Sequence, residues 1–229
     1  MKKFNKYFGS VTTFPDRYNI DSPLVDDVQP PGNEECVCYM VDDICQDKLG
    51  VEIDIDFLYS QVPHAQNGGT NPYDVLKQVT NFGVKIKSTG EIIKPFTDYF
   101  RAHTGQFDAF DNVRSALMLC KYSIGAWGPW GRLWGISSLM DIETDFPTGH
   151  AVSIKGWDII NDEPQLIIEA HNNHFLYCSR SIFNSWALMN GFDTVVLSDQ
   201  VIDTSMINSL RLTVISLLQT LLDKLLKKK

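Results

Sequence analysis

QPPGNEECVCYMVDD, residues 29–43, is the stretch on which a reading of this chain turns. Pro30, Pro31 and Gly32 keep the backbone out of a helix, whereas Glu34 and Glu35 suit a first helical turn. Val37, Met40, Val41 and Ile44 then recur at helical spacing, which predicts a helix from Cys36 to about Lys48, ending before Leu49-Gly50. Cys36 stands in the first turn of that helix. The unpaired N–H groups there and the positive end of the helix dipole favour thiolate over thiol, while Glu34 and Glu35 oppose the effect. A thiol in such a place reads as a nucleophile; its bland alternative is a small buried hydrophobe.

The second half of the chain supplies a base. Residues 149–157, GHAVSIKGW, read as a strand led by His150, and a following strand over 165–169 ends at Ala170-His171-Asn172. A polar side chain there can reach the far ring nitrogen of His150 and fix its tautomer. Cysteine, then histidine, then asparagine or a substitute is the order of a cysteine hydrolase whose parts lie far apart in sequence.

Several further stretches give the chain a resemblance to papain-like cysteine peptidases. Phe14-Pro15-Asp16-Arg17-Tyr18 is similar to the start of the mature enzymes, and Gln29 to the glutamine ahead of the nucleophile that donates to the oxyanion. Cys36-Val37-Cys38-Tyr39-Met40 resembles the family's Cys-Trp-Ala-Phe-Ser/Ala. Asn67-Gly68-Gly69 resembles the loop that pairs with substrate backbone, and Gly149-His150-Ala151-Val152 the catalytic His strand. The match runs from residue 14 to about 198 in the right order.

The resemblance implies an α+β, papain-like two-lobe fold. A helical N-lobe carrying the central Cys helix faces an antiparallel β C-lobe, with Cys36 and His150 on opposite walls of the cleft. It implies Cys36 as nucleophile, His150 as base, Asn172 as the third member, Gln29 as oxyanion donor, and Gly68 and Gly69 as substrate-binding positions; no cofactor is implied. The departures define alternates. Gln29 lies seven positions before Cys36, one more than usual, so Asn33 is the alternate donor. Asn-Ser-Trp-Gly is absent, so His171 is the alternate third member, and Cys38 is a rival nucleophile.

Composition bounds the partners. The 229 residues, 44% of them hydrophobic, are enough for a real core. A net charge of −8 with no basic stripe argues against nucleic acid. The five cysteines show no zinc-ligand pairing and none of the resembled family's disulfide positions, which predicts a cytoplasmic or otherwise reducing compartment. Metal binding by Cys36 and Cys38 with His171 and His174 is set aside, so the expectation is no metal. Met1 to Gly9 has lysines but no apolar run, hence no signal peptide, and the match begins too early to leave room for a propeptide.

Along the chain, residues 53–59 read as a short helix or turn, His64 as surface, and 67–72 as turn chemistry. Helices are expected over 73–81, stopped by Gly83, and over 107–122. An extended ribbon is expected over 84–93 and a strand over 123–126. Trp127, Trp130 and Trp134 fall in GAWGPWGRLWG, read as a loop presenting an aromatic wall to the cleft, with Trp127 and Trp130 as binding residues. Strands over 175–179 and 194–198 flank a turn or short helix over 180–186.

Residues 1–203 thus form the hydrolase domain, and 204–229 an amphipathic helix whose leucine stripe ends in Lys227-Lys228-Lys229. That face needs a cover: its own domain, a second copy or structural partner, or an anionic membrane surface. The reading that follows is a cysteine peptidase cutting a peptide or protein substrate. Its alternatives are a CHAP-type peptidoglycan amidase or endopeptidase, in which Glu169 and Asn172 would serve, and an inactive papain-like scaffold in a structural or virion role.

Overall fold

The computed structural model describes residues 13–21, 28–30, 32–103, 108–128, 149–171, 175–188 and 191–199. The chain divides into two units, residues 1–199 and 200–229; the second, with the C-terminal helix expected from its sequence, lies outside the described residues.

Helix α1, Cys36–Leu49, begins at the cysteine and ends where Gly50 turns left-handed (φ 68°), its N–H returning to Gln46 O. Every residue from Val37 to Gln46 is buried, including two aspartates, so α1 is wrapped on all sides. Asp42 is accounted for locally: its carboxylate accepts from Ile53 N at 2.7 Å and Gln46 Nε2 at 2.7 Å, which satisfies a buried charge that would otherwise be costly.

Short helix α2, Ile55–Ser60, is capped by Asp54, and α3, Pro72–Phe82, by Asn71 with Pro72 in the first turn. The stop at Gly83 is obligatory, because φ is 90° and a Cβ there would meet Ile93 O at 2.1 Å. The expected ribbon over 84–93 is a small hairpin, β2 Val84–Lys85 with β3 Ile92–Ile93. Helix α4, Ala109–Cys120, is capped by Asp108.

The remaining strands build one antiparallel sheet: β4 Asp98–Arg101, β5 Ile124–Gly128, β6 His150–Ile160, β7 Glu163–Glu169, β8 Phe175–Ser179 and β9 Asp193–Ser198. Their order is β4-β9-β5-β6-β7-β8, with helix α5, Arg180–Trp186, following β8. A short strand β1, Tyr18–Asn19, adds to β6 at Gly156, where a Cβ would meet Tyr18 O at 2.0 Å. The buried Trp157 fixes this N-terminal segment: its indole N–H donates to Pro15 O at 2.9 Å, and Tyr18 stacks on it at 4.9 Å. The result is α+β, with α1 packed against β6 and β5.

One reading changes. Trp127 belongs to β5, not to a loop, because Gly125, one of the glycines that argued against regular structure, serves a close approach. A Cβ on Gly125 would meet Met40 Sδ at 2.5 Å, so glycine lets α1 lie on the strand. Strand β4 has little pattern of its own and exists by pairing with β9. Trp130 and Trp134 lie outside the described residues.

Candidate active site

Cys36 is the first residue of α1 and His150 the first of β6, and both line one cleft of about 770 Å³. The packing of α1 on β6 brings the two ends together, so that Cys36, His150 and the neighbouring Ala151 line the same cleft. Burial pushes the Cys36 thiol up, the N–H groups of Ala151, Val37 and Cys36 pull it down, and the nearby Glu34 carboxylate raises it. His150 is pushed the other way, down to about 3, by burial and then by His171, against the weaker pull of the Ala170 carbonyl. The surroundings therefore disfavour each lone charge.

The ring of His150 is oriented by backbone. Its Nε2 lies 3.5 Å from Ala170 O, just past the end of β7. His171 follows in a left-handed conformation (φ 57°), buried, with its ring centroid 6.1 Å from that of His150. Behind it stands Asp43 of α1, whose Oδ2 is 3.2 Å from His171 Nδ1. Asn172 lies outside the described residues.

The expected oxyanion donors are turned elsewhere. Gln29 is 2% exposed, its Nε2 donates to Asn33 O at 2.5 Å, and it does not line the cleft. The Asn33 amide donates to Glu35 Oε2 at 2.8 Å while its oxygen accepts from Glu35 N at 2.7 Å. The N–H groups that lower the Cys36 thiol are those of Ala151 and of the first turn of α1, Val37 and Cys36. Cys38 is fully buried and away from the cleft; burial, then Glu35 and Cys36, raise its thiol.

Of the paired glycines, Gly69 lines the cleft, but both are already engaged. Gly68 N donates to Ala65 O (2.9 Å) and Gly68 O accepts from Tyr59 Oη (2.5 Å). Gly69 O accepts from Ala65 N (2.8 Å) and Gly69 N donates to Asn67 Oδ1 at 3.2 Å, the longest of the four. An extended substrate would exchange with that last bond most easily.

Trp127 forms part of the opposite wall and meets Tyr73 edge-on at 5.2 Å. Three contributors were not legible in the sequence. His64 is exposed as expected, yet it lines the cleft, stacked on Tyr59 at 4.0 Å with Nε2 on Tyr59 O. Tyr73 hydrogen-bonds the buried Asp193, which also takes Arg101 Nε at 2.5 Å, so residues from α3, β4 and β9 brace that wall. Asp43 had one available signal: it sits seven residues after Cys36, hence on the same face of α1.

No protein-family profile and no curated protein sequence matches this chain. Solved structures of papain-like cysteine proteases do, at low identity. Xylellain, a cysteine protease from Xylella fastidiosa, superposes with a TM-score of 0.61 at 12% identity, over 82% of this chain and 88% of that one. The bromelain protease from Ananas comosus gives 0.60 at 14% identity, over 82% and 100%. Digestive procathepsin L 3 of Tenebrio molitor larval midgut gives 0.64 at 11% identity, over 82% and 71%. The fold is papain-like.

Proposed function

We propose that the chain is a cysteine peptidase with Cys36 as nucleophile and His150 as general base. The observation that carries this is the meeting of the α1 and β6 ends in one cleft, which Cys36 and His150 both line. With Nε2 turned to Ala170 O, Nδ1 is the nitrogen that takes the thiol proton. The sulfur attacks the peptide carbonyl, and His150 returns the proton to the leaving amine. A water that gives its proton to His150 then hydrolyses the thioester and releases Cys36. The first-turn N–H groups of α1 are the donors for the oxyanion.

The CHAP-type reading loses support because Glu169 is buried and paired with Lys155 at 3.3 Å. The inactive scaffold draws support from the Gln29 amide being turned to Asn33. Iodoacetamide labelling near pH 6, mapped by mass spectrometry, separates this from the peptidase. Cys36 lines the cleft with His150, whereas Cys38, Cys45 and Cys178 are buried and Cys120 lies away from it, so selective and His150-dependent labelling of Cys36 is expected. Fluorogenic peptide cleavage should accompany it and vanish in Cys36→Ala. Indifferent labelling of all five cysteines would sink the enzyme reading.

A further inference from the structure

Beneath the reacting pair lies a group of buried ionisable side chains that the hydrolytic steps do not use. Asp43 and Asp47 project from α1, Lys155 from β6 and Glu169 from β7, and His171 follows β7. Lys155 Nζ lies 3.2 Å from Asp47 Oδ1 and 3.3 Å from Glu169 Oε2, while Asp43 Oδ2 lies 3.2 Å from His171 Nδ1. Burial works to raise the Asp43 carboxyl, but His171, Lys155 and Ser153 hold it below the ordinary value. Buried ion pairs of this kind contribute little net stability compared with apolar packing, so their position matters more than their number.

We propose that the Asp43–His171 pair is the positioning unit of the site: it clamps the turn whose Ala170 carbonyl holds His150 with Nε2 inward and Nδ1 toward Cys36. The proposal rests on the reading of Cys36 and His150 as the reacting pair. His171 adopts a left-handed backbone conformation (φ 57°) that is unfavourable for a non-glycine residue, so contacts must sustain it. They come from two sides. Its carbonyl accepts from Gln29 N at 2.8 Å, and its ring meets Asp43 and, 5.9 Å between centroids, Tyr39.

Gln29 and Tyr39 therefore act here as walls of the clamp. The clamp sets where the Ala170 carbonyl points. Its 3.5 Å approach to Nε2 is long, as suits a bond that tightens when the ring takes the thiol proton. Asp43 shares a helix face with Cys36, so one rigid element carries both the nucleophile and the anchor of its base.

The test is histidine ¹⁵N NMR on the full chain, with His150 assigned by the signal lost in His150→Gln. Wild type should show one His150 tautomer, with the proton on Nε2. Asp43→Asn and His171→Leu should show mixed tautomers, and kcat and the Cys36 alkylation rate should each fall on the order of 100-fold with KM little changed. His171→Asn, whose side-chain amide can take up the contact with Asp43, should keep both near wild type. A merely structural pair would lower the melting temperature and leave the tautomer alone. Persistence of the single tautomer in folded Asp43→Asn, checked by circular dichroism, overturns the proposal even if His171→Leu does not fold. Loss of the tautomer in a protein whose Cys36 never labels selectively would retain the clamp and refute the peptidase reading.

Discussion

At the scale of single residues, the site is governed by burial acting oppositely on its two members. Burial raises the Cys36 thiol and lowers the His150 imidazole, so each group by itself favours its uncharged form. The His150 shift has a consequence for stability. Its value falls from 6.5 in the unfolded chain to about 3 in the fold, so between those limits the unfolded chain binds more protons. Stability should accordingly rise with pH across that window and be lost as pH falls from about 6.5 toward 3, by at most about 5 kcal/mol. Urea midpoints at pH 7, 5 and 4 check this. His150→Gln should flatten the dependence, and an equally steep loss in that variant would place the titrating group elsewhere. Asp43 acts lower on the scale, since its depressed carboxyl surrenders its contribution only below the ordinary aspartate range.

At the scale of elements, two close approaches set the geometry that the residues exploit. Gly125 in β5 admits Met40 of α1, and Gly156 in β6 admits the backbone of β1. The second can be probed without touching the cleft. In Gly156→Ala the new Cβ would meet a carbonyl oxygen rather than a pliable side chain, so β1 must lift away. We expect a loss on the order of 2–3 kcal/mol, together with protease sensitivity near residues 13–19. Unchanged stability would mean that β1 contributes nothing to the sheet. Because Tyr18 stacks on Trp157 and Phe14 meets the same ring edge-on at 5.9 Å, release of β1 would also expose that indole and shift its fluorescence.

At the scale of the whole molecule, residues 1–199 form a compact unit by themselves, and the amphipathic pattern of 204–229 stands outside it in the chain. We expect removal of 200–229 to leave the melting temperature within a few degrees, since about 1 kcal/mol moves a domain of this size by roughly 2–4 °C. The same removal should abolish self-association or binding to anionic vesicles, read by sedimentation of both forms. A large fall in melting temperature would instead make the segment part of the core.

The sequence alone determined the longer helices, because glycine stops and apolar spacing act within a few turns: Gly50 after α1, Gly83 after α3, Cys36 at a helix start; residues 53–59 and 180–186 read as turn or short helix alike. It also determined the His150 strand and the order of cysteine and histidine. Only the tertiary structure decided that β4 pairs with β9, that Trp127 is strand, that Gln29 turns its amide to Asn33, and that Asp43 meets His171. Each of these depends on what stands opposite a residue. That is set by which strands and helices come to lie side by side, and no local pattern encodes it.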